Sequence, residues 1–528
     1  MQALGIGMEP RIARGALLWA ALAALCITAL WFALGWRYGF DLADEGYLWY
    51  GAQRVLHGEV PMRDFMAYDI GRYYWLAAAM RLLGDEGILA ARLGAVAYQL
   101  LGTGLGVYLV LRVVPAAGLG RLALALLTAA LLTIWVYPYY KVFDHGTSVM
   151  IVALLVLMLG SRRRTAWFSA GLLLGLAAMM GRNHGVYGAV AVGGVLLLLW
   201  FKQTDRPGTL RLGLVFAAGV VVGFSPTFWM MAVVPGFQEA FIASILMLLR
   251  SGSTNIGLPV PWPWMVDVAQ AGGIIGAARI LVGLGFVLIL LVPLLILARL
   301  IAGGQPLQRP ANQLLVAAAL AGWPYAHYAF SRADLTHLAL GIFPLLLASL
   351  GAAALRGVRL ASVLGAALLA GSMLALSLEQ PYLAHRLLSR KLLSASVTGQ
   401  TLHMYPSVAK RYLACSAALA AYPEAGERFL AVPDMPSLYA IQRSRMPIWE
   451  IYSLFPRDTA FEHAELGRLQ AAPPRLVLLS DHALDGRPEQ RYSRLHPVLY
   501  DWITTEFEPV SSASSALDPE LTILRPRP

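Results

Sequence analysis

The 528-residue chain is 58% hydrophobic and only 13% charged, with a mean hydropathy of +0.62. Soluble domains carry about twice that charge, so the composition excludes an ordinary soluble enzyme. The net charge of +11 does not indicate nucleic acid: the Lys and Arg residues fall largely in short loops between apolar runs, where they set topology and meet lipid headgroups.

In chain order, apolar runs predict about eleven membrane-spanning helices. They lie near 15–36, 90–112, 121–140, 146–160, 166–182, 185–201, 210–234, 274–299, 313–330, 335–354 and 359–378. The first ends in Trp31, Phe32 and Trp36, lacks a small-residue cleavage site and reads as an uncleaved span. A long loop, 37–89, follows it. Within that loop, 47–57 and 72–83 carry apolar stripes with Trp and Tyr. They are expected as helices lying in the membrane interface, or as plugs between two spans.

Every second short loop is basic. Arg11 and Arg14 precede the first span, and Arg112 and Arg121 follow the second. Arg162, Arg163 and Arg164 follow the fourth, Lys202, Arg206 and Arg211 the sixth, Arg299 and Arg309 the eighth, Arg356 and Arg359 the tenth. This alternation places the N-terminus in the cytoplasm. The first loop departs from it, since Arg54, Arg63, Arg72 and Arg81 fall outside, but that loop is long and rich in acids. An odd span count places everything after about residue 380 on the outer side. There the composition turns polar, and the run Arg475–Ser480 suits a short buried strand. The expected fold is an all-α polytopic membrane protein, 1–380, with interfacial helices in the first outer loop. A small α/β periplasmic domain, 381–528, completes it. Cys26 lies in the first span and Cys415 in the tail, so a disulfide between them is implausible.

The chemistry concentrates on one side. The loop 37–89 opens with Asp41-Leu-Ala-Asp44-Glu45-Gly46-Tyr47, a carboxylate pair beside a span. Ionisable groups at a bilayer boundary are costly unless they act, and such a pair can take a proton or bind a metal. Three further clusters fall at outward span ends: Lys141, Asp144 and His145; Arg182, Asn183 and His184; Arg332, Asp334 and His337. Each alone reads as snorkelling or helix capping. Four on one face suggest a site at headgroup depth. Arg and Lys bind phosphate as charge-assisted donors, while a carboxylate takes the proton of an attacking hydroxyl. There is no Gly-x-x-x-x-Gly-Lys-Ser, His-Glu-x-x-His or Gly-x-Ser-x-Gly, so ATP hydrolysis, zincin proteolysis and hydrolase chemistry have no motif support.

The order Asp44-Glu45-x-Tyr47, Leu56-x-Gly58-Glu59-x-Pro61-x-x-Asp64-Phe65, Gly71-x-Tyr73-Tyr74 and Leu82-x-Gly84, after one span, resembles the first outer loop of C-type glycosyltransferases. The bacterial branch related to protein O-mannosyltransferases and the lipid A aminoarabinose transferase is the best match. The resemblance implies inverting transfer of a sugar from a polyprenyl-phosphate carrier to an envelope glycan, lipid or protein hydroxyl, at the periplasmic face of the inner membrane. It implies Asp44 and Glu45 as the catalytic pair, Asp44 being the base. Donor-phosphate or substrate contacts fall to Arg72, Lys141, Asp144, Arg182, His184, Arg332 and His337. Where many relatives have Pro near Gly71, this chain has Asp69-Ile70, and the Lys of the aminoarabinose transferase is missing. The resemblance implies no nucleotide sugar and fixes no cofactor; a divalent metal stays open, and no nucleic acid is a partner. The rival readings are a transporter or flippase for a lipid-linked sugar, and an envelope glycan polymerase or ligase. Transporters show inverted repeats and spans broken at the midplane, neither of which is clear here.

Overall fold

The computed structural model describes residues 10–114, 118–202, 206–251, 256–303, 307–423, 426, 428–510 and 517–528. The side chains of the topology signals Arg11 and Arg14 lie outside the described residues. The chain divides into two compact units. One comprises Met1–Trp36, Ala95–Val234 and Asn255–Ser389, the other Arg37–Gly94, Pro235–Thr254 and Arg390–Pro528.

Each expected span lies on a helix. In order these are Pro10–Gly35, Ile88–Leu111, Leu119–Ile134, Val142–Gly160, Arg164–Met180, Arg182–Lys202, Arg206–Val233, Gly273–Gly303, Pro310–Ser331, the pair Leu335–Gly341 and Phe343–Ala354, and Val358–Leu376. Among the described residues, seven helices are long and apolar enough to cross a membrane, or eight if the pair, bent by 55°, is one span. The others fall short for visible reasons. Leu119–Ile134 and Arg164–Met180 have 16 and 17 residues; at ~1.5 Å per residue they stop below the roughly 30 Å hydrocarbon layer. Pro310–Ser331 is long enough but carries Asn312, Gln313, Tyr325, His327 and Tyr328. The sequence placed no element between the seventh and eighth spans. That stretch holds the helix Phe237–Ser251, whose Glu239 and Arg250 bracket an apolar middle too short to span.

The tightest helix pair in the membrane unit is Arg164–Met180 against Arg206–Val233. Each presents a Gly-x-x-x-Gly: Gly171 and Gly175 on one, Gly219 and Gly223 on the other. A Cβ on Gly171 would run into the Phe216 carbonyl oxygen, and one on Gly223 into that of Leu172. Small residues let backbones meet in this way, and van der Waals contact then replaces the missing hydrophobic drive. Gly223→Leu is therefore expected to force the helices apart at a cost of about 1–3 kcal/mol or more, read as a lower thermal midpoint in detergent. Gly193 has open space around it, so Gly193→Ala should leave the midpoint unchanged or raise it. Equal midpoints for Gly223→Leu and wild type would refute the packing argument.

The second unit holds the only strands among the described residues. β1 (Leu393–Val397) and β2 (Gln400–Met404) form an antiparallel hairpin. β3 (Phe429–Val432), β4 (Leu476–Ser480), β5 (Phe507–Pro509) and β6 (Leu521–Pro526) make a sheet of order β3-β4-β6-β5. β3 and β4 are parallel and the other pairs antiparallel. β4 is the predicted strand, and all five of its residues are buried, as a central strand covered on both faces requires.

The sequence assigned the loop 37–89 to the membrane domain. In the structure it packs in one unit with the tail. Backbone groups stitch the two: Ser437 N–H donates to Leu42 O at 3.0 Å, Met66 N–H to Trp449 O at 2.9 Å, and Gly39 N–H to His403 O at 2.7 Å. Trp449 Nε1 donates to Met62 O at 3.0 Å. Both predicted loop helices exist, as Asp44–Leu56 and Gly71–Leu83. The first corrects its expected setting. Residues Glu45 to Gln53 are all buried, so no apolar stripe is left for lipid; the Trp and Tyr pattern came from burial inside this unit. Gly71–Leu83 keeps Tyr74, Leu82 and Leu83 exposed, as an interfacial helix would.

A buried acidic group marks the tail. Glu450, Glu462 and Glu465 are each nearly inaccessible. Burial pushes the Glu450 carboxyl up to about 8, and beside it, at 3.4 Å, burial pulls His496 down to about 4. Because the folded value of Glu450 lies above its unfolded one, its contribution is full below about pH 4.5 and is lost as pH rises to about 8. The loss is up to ~1.4 kcal/mol per pH unit. Glu450→Gln should flatten the fall of the thermal midpoint between pH 5 and 8, whatever its absolute value. Parallel curves for variant and wild type would contradict this.

Candidate functional site

The candidate residues gather in two polar clusters, one in each unit. In the unit holding the tail, the first turn of Asp44–Leu56 sets the geometry. The capping role falls to Asp41, whose Oδ1 accepts the N–H groups of Ala43 and Asp44 at 2.7 and 2.9 Å. The half-buried Asp44 carboxylate lies within electrostatic reach of Asp434, Tyr68 and Tyr452. Burial raises the Asp434 carboxyl, and the Asp44 charge raises it further; His482 and Arg411 oppose this. Asp434 sits two residues past β3 and His482 two past β4, the carboxyl ends of the two parallel strands, where open α/β sheets collect ligands.

Rings wall this cluster. Tyr47 packs tilted against Tyr68 and edge-on to Tyr452 and Tyr73, at centroid distances of 5.1, 5.5 and 6.2 Å. Burial drives the hydroxyls of Tyr47, Tyr68, Tyr73 and Tyr452 well above the usual phenol value, so they stay protonated. Glu45 turns away from this chemistry. Arg92 grips it from Nε to Oε1 at 2.9 Å and from NH2 to Oε2 at 3.0 Å, and also donates to Gly39 O at 2.9 Å. Arg92 is 1% exposed. Arg72 contacts the Asp69 carboxylate at 3.5 Å.

In the membrane unit, His184 at the start of Arg182–Lys202 reaches Asp144 near the start of Val142–Gly160, Nε2 to Oδ1 at 3.1 Å. Tyr328 OH donates to the same Oδ1 at 3.0 Å, and Tyr325 OH pairs with His184 Nδ1 at 2.8 Å. The Tyr328 ring also meets His337 edge-on at 6.3 Å. His337 Nδ1 lies 2.8 Å from Asp334 Oδ1, and Arg332 Nε donates to Asp334 Oδ2 at 2.8 Å. Five predicted residues and candidates from distant segments thus meet around Tyr328: Asp144, His184, Arg332, Asp334 and His337. Lys141 ends the short turn before Asp144, and Arg182 precedes His184 by two residues. Beside Asp334, burial pushes the Glu379 carboxyl up to about 7.

The sequence reading missed Arg92, Asp434, His482, Tyr325 and Tyr328. Each left a trace: an Arg inside an apolar run, an Asp and a His directly after short apolar strands, and Tyr-x-x-Tyr in a span. Among the described residues, no group of three or more His, Cys, Asp or Glu is placed to hold a metal ion.

No protein-family model matches the chain, and no curated protein does. Solved structures of the Archaeoglobus fulgidus oligosaccharyltransferase are similar to it. The apo form has a TM-score of 0.40 at 12% identity, over 89% of this chain and 69% of that one. The complex with an inhibitory peptide and a dolichol-phosphate scores 0.44 at 11% identity, over 89% and 69%. The complex with zinc and sulfate scores 0.43 at 12%, over 88% and 68%.

Proposed function

We propose that the chain is a C-type glycosyltransferase that moves a sugar from a polyprenyl-phosphate carrier to an envelope hydroxyl, with inversion, at the outer face of a bacterial inner membrane. The observation that carries this reading is the Asp44 carboxylate, half-buried beside the Tyr68 and Tyr452 hydroxyls and within electrostatic reach of Asp434. A carboxylate held in a partly buried polar setting is suited to act as a general base. Asp44 takes the acceptor proton. The protonated tyrosine hydroxyls donate to sugar oxygens, and their rings offer flat apolar faces. Glu45 with Arg92 positions the turn that bears Asp44. Resemblance of the first loop to C-type glycosyltransferases supports the same assignment.

Arg332 and Arg182 are the donor-phosphate contacts in this reading, with Lys141 and Arg72 as the remaining candidates. Asp144, His184 and Tyr328 hold the surrounding helix ends in register. The N-terminus is cytoplasmic and the tail periplasmic, as the alternating basic loops require. Arg332→Ala and Arg182→Ala are expected to weaken donor binding by roughly ten- to a hundred-fold, the worth of one desolvated charge-assisted bond. Arg→Lys should recover only part, because the bidentate fork is lost. Donor titration of the purified chain checks this; wild-type affinity in both Ala variants would move the phosphate to Arg72 or Lys141.

A further inference from the structure

A cavity of about 570 Å³ opens in the membrane unit among the ends of Gly273–Gly303, Pro310–Ser331, Phe343–Ala354 and Val358–Leu376. That volume lies within the roughly 300–1,000 Å³ of small-molecule sites. Its wall is mostly aliphatic, built from residues such as Leu295, Leu315, Val316 and Leu364 with Asn312 and Ser349 between them; among the described residues its only charged lining residues are Arg299 and Arg356, and no carboxylate lines it. Both arginines are exposed, and Lys202 adds a third positive charge nearby by donating to Leu300 O at 3.2 Å. Arg299 and Arg356 belong to the basic loops, so this end of the helices is opposite the cluster around Tyr328.

We propose that this cavity is a structural site for an anionic glycerophospholipid of the cytoplasmic leaflet. The acyl chain fills the aliphatic trough, and the phosphate lies between Arg299 and Arg356. Simple snorkelling explains exposed arginines at helix ends. It does not explain an aliphatic cavity of ligand size directly beneath two of them with no acid to balance the charge. Basic pockets between helices on the cytoplasmic side are suited to such headgroups. The proposal is independent of the transfer reaction, and its readout is binding alone.

The test is native mass spectrometry and thermal shift of the full chain in detergent, titrated with phosphatidylglycerol, phosphatidylcholine and glycerol 1-phosphate. Phosphatidylglycerol should bind and raise the midpoint at least about ten-fold more readily than phosphatidylcholine, the scale of one charge-assisted contact. Glycerol 1-phosphate should not bind measurably, because it lacks the chain that fills the trough. Arg299→Ala/Arg356→Ala should abolish the preference, and Ala352→Trp, which keeps both arginines but fills the cavity, should abolish binding. Lipid-free midpoints of both variants near wild type establish that they fold; if the double variant misfolds, Ala352→Trp alone decides. Equal binding of both phospholipids, tight binding of glycerol 1-phosphate, or phosphatidylglycerol binding that survives Ala352→Trp would each overturn the proposal.

Discussion

Asp44→Asn is expected to lower sugar transfer by about 10²–10⁴-fold, the usual worth of a positioned general base. The amide fits the half-buried setting of Asp44, and the turn keeps its cap because the Asp41 carboxylate still accepts the Ala43 and residue-44 N–H groups. Thermal midpoint and donor affinity should therefore stay near wild type while turnover falls. Asp434→Asn should cost much less, since Asp434 neighbours the base and does not itself take the acceptor proton in this reading. A wild-type rate for Asp44→Asn in the purified chain would remove Asp44 from the mechanism.

Arg92→Ala is expected to be the most damaging single change to the fold. It strips the partner from Glu45, itself 4% exposed, and orphans the Gly39 carbonyl that Arg92 also holds. Breaking one side of a buried pair costs about 3–5 kcal/mol, because the remaining charge has no solvent. Loss should appear as poor recovery of folded protein from the membrane. Glu45→Gln/Arg92→Met removes both charges and should recover much of the stability. If Arg92→Ala melts at the wild-type temperature and loses only turnover, the pair acts on substrate rather than on the fold.

The membrane helices were legible because eleven apolar runs and alternating basic loops are local signals, and each run lies on a helix. Which of them meets the dimensions of a span was less legible, since Leu119–Ile134 and Arg164–Met180 depend on neighbours for their ends. The strand at Leu476–Ser480 was readable from its apolar run, whereas β3 and β5, of four and three residues, are too short to carry a pattern. The loop's union with the tail was hidden, because it rests on backbone hydrogen bonds between residues almost 400 positions apart, as in Ser437 to Leu42. Of the polar candidates, Asp144, His184, Arg332 and His337 stood out in the sequence because ionisable groups are conspicuous beside apolar runs, and the structure brings them together around Tyr328. Asp434 and His482 were missed because their only trace, a place just after a short apolar run, gains meaning once β3 and β4 pair in parallel and align their carboxyl ends. Glu45 looked like half of a catalytic pair because its partner, Arg92, lies 47 positions away.

The central claim is that this chain makes a glycosidic bond rather than carrying a lipid-linked sugar across the membrane. A detergent solution has no sides, so transport leaves no trace there while transfer does. Purified wild-type chain, incubated with radiolabelled polyprenyl-phosphate sugar and an envelope extract, is expected to release polyprenyl phosphate and label an acceptor, and the Asp44→Asn chain to do neither. Donor that is bound by the wild-type chain yet stays intact with every acceptor fraction would contradict the account.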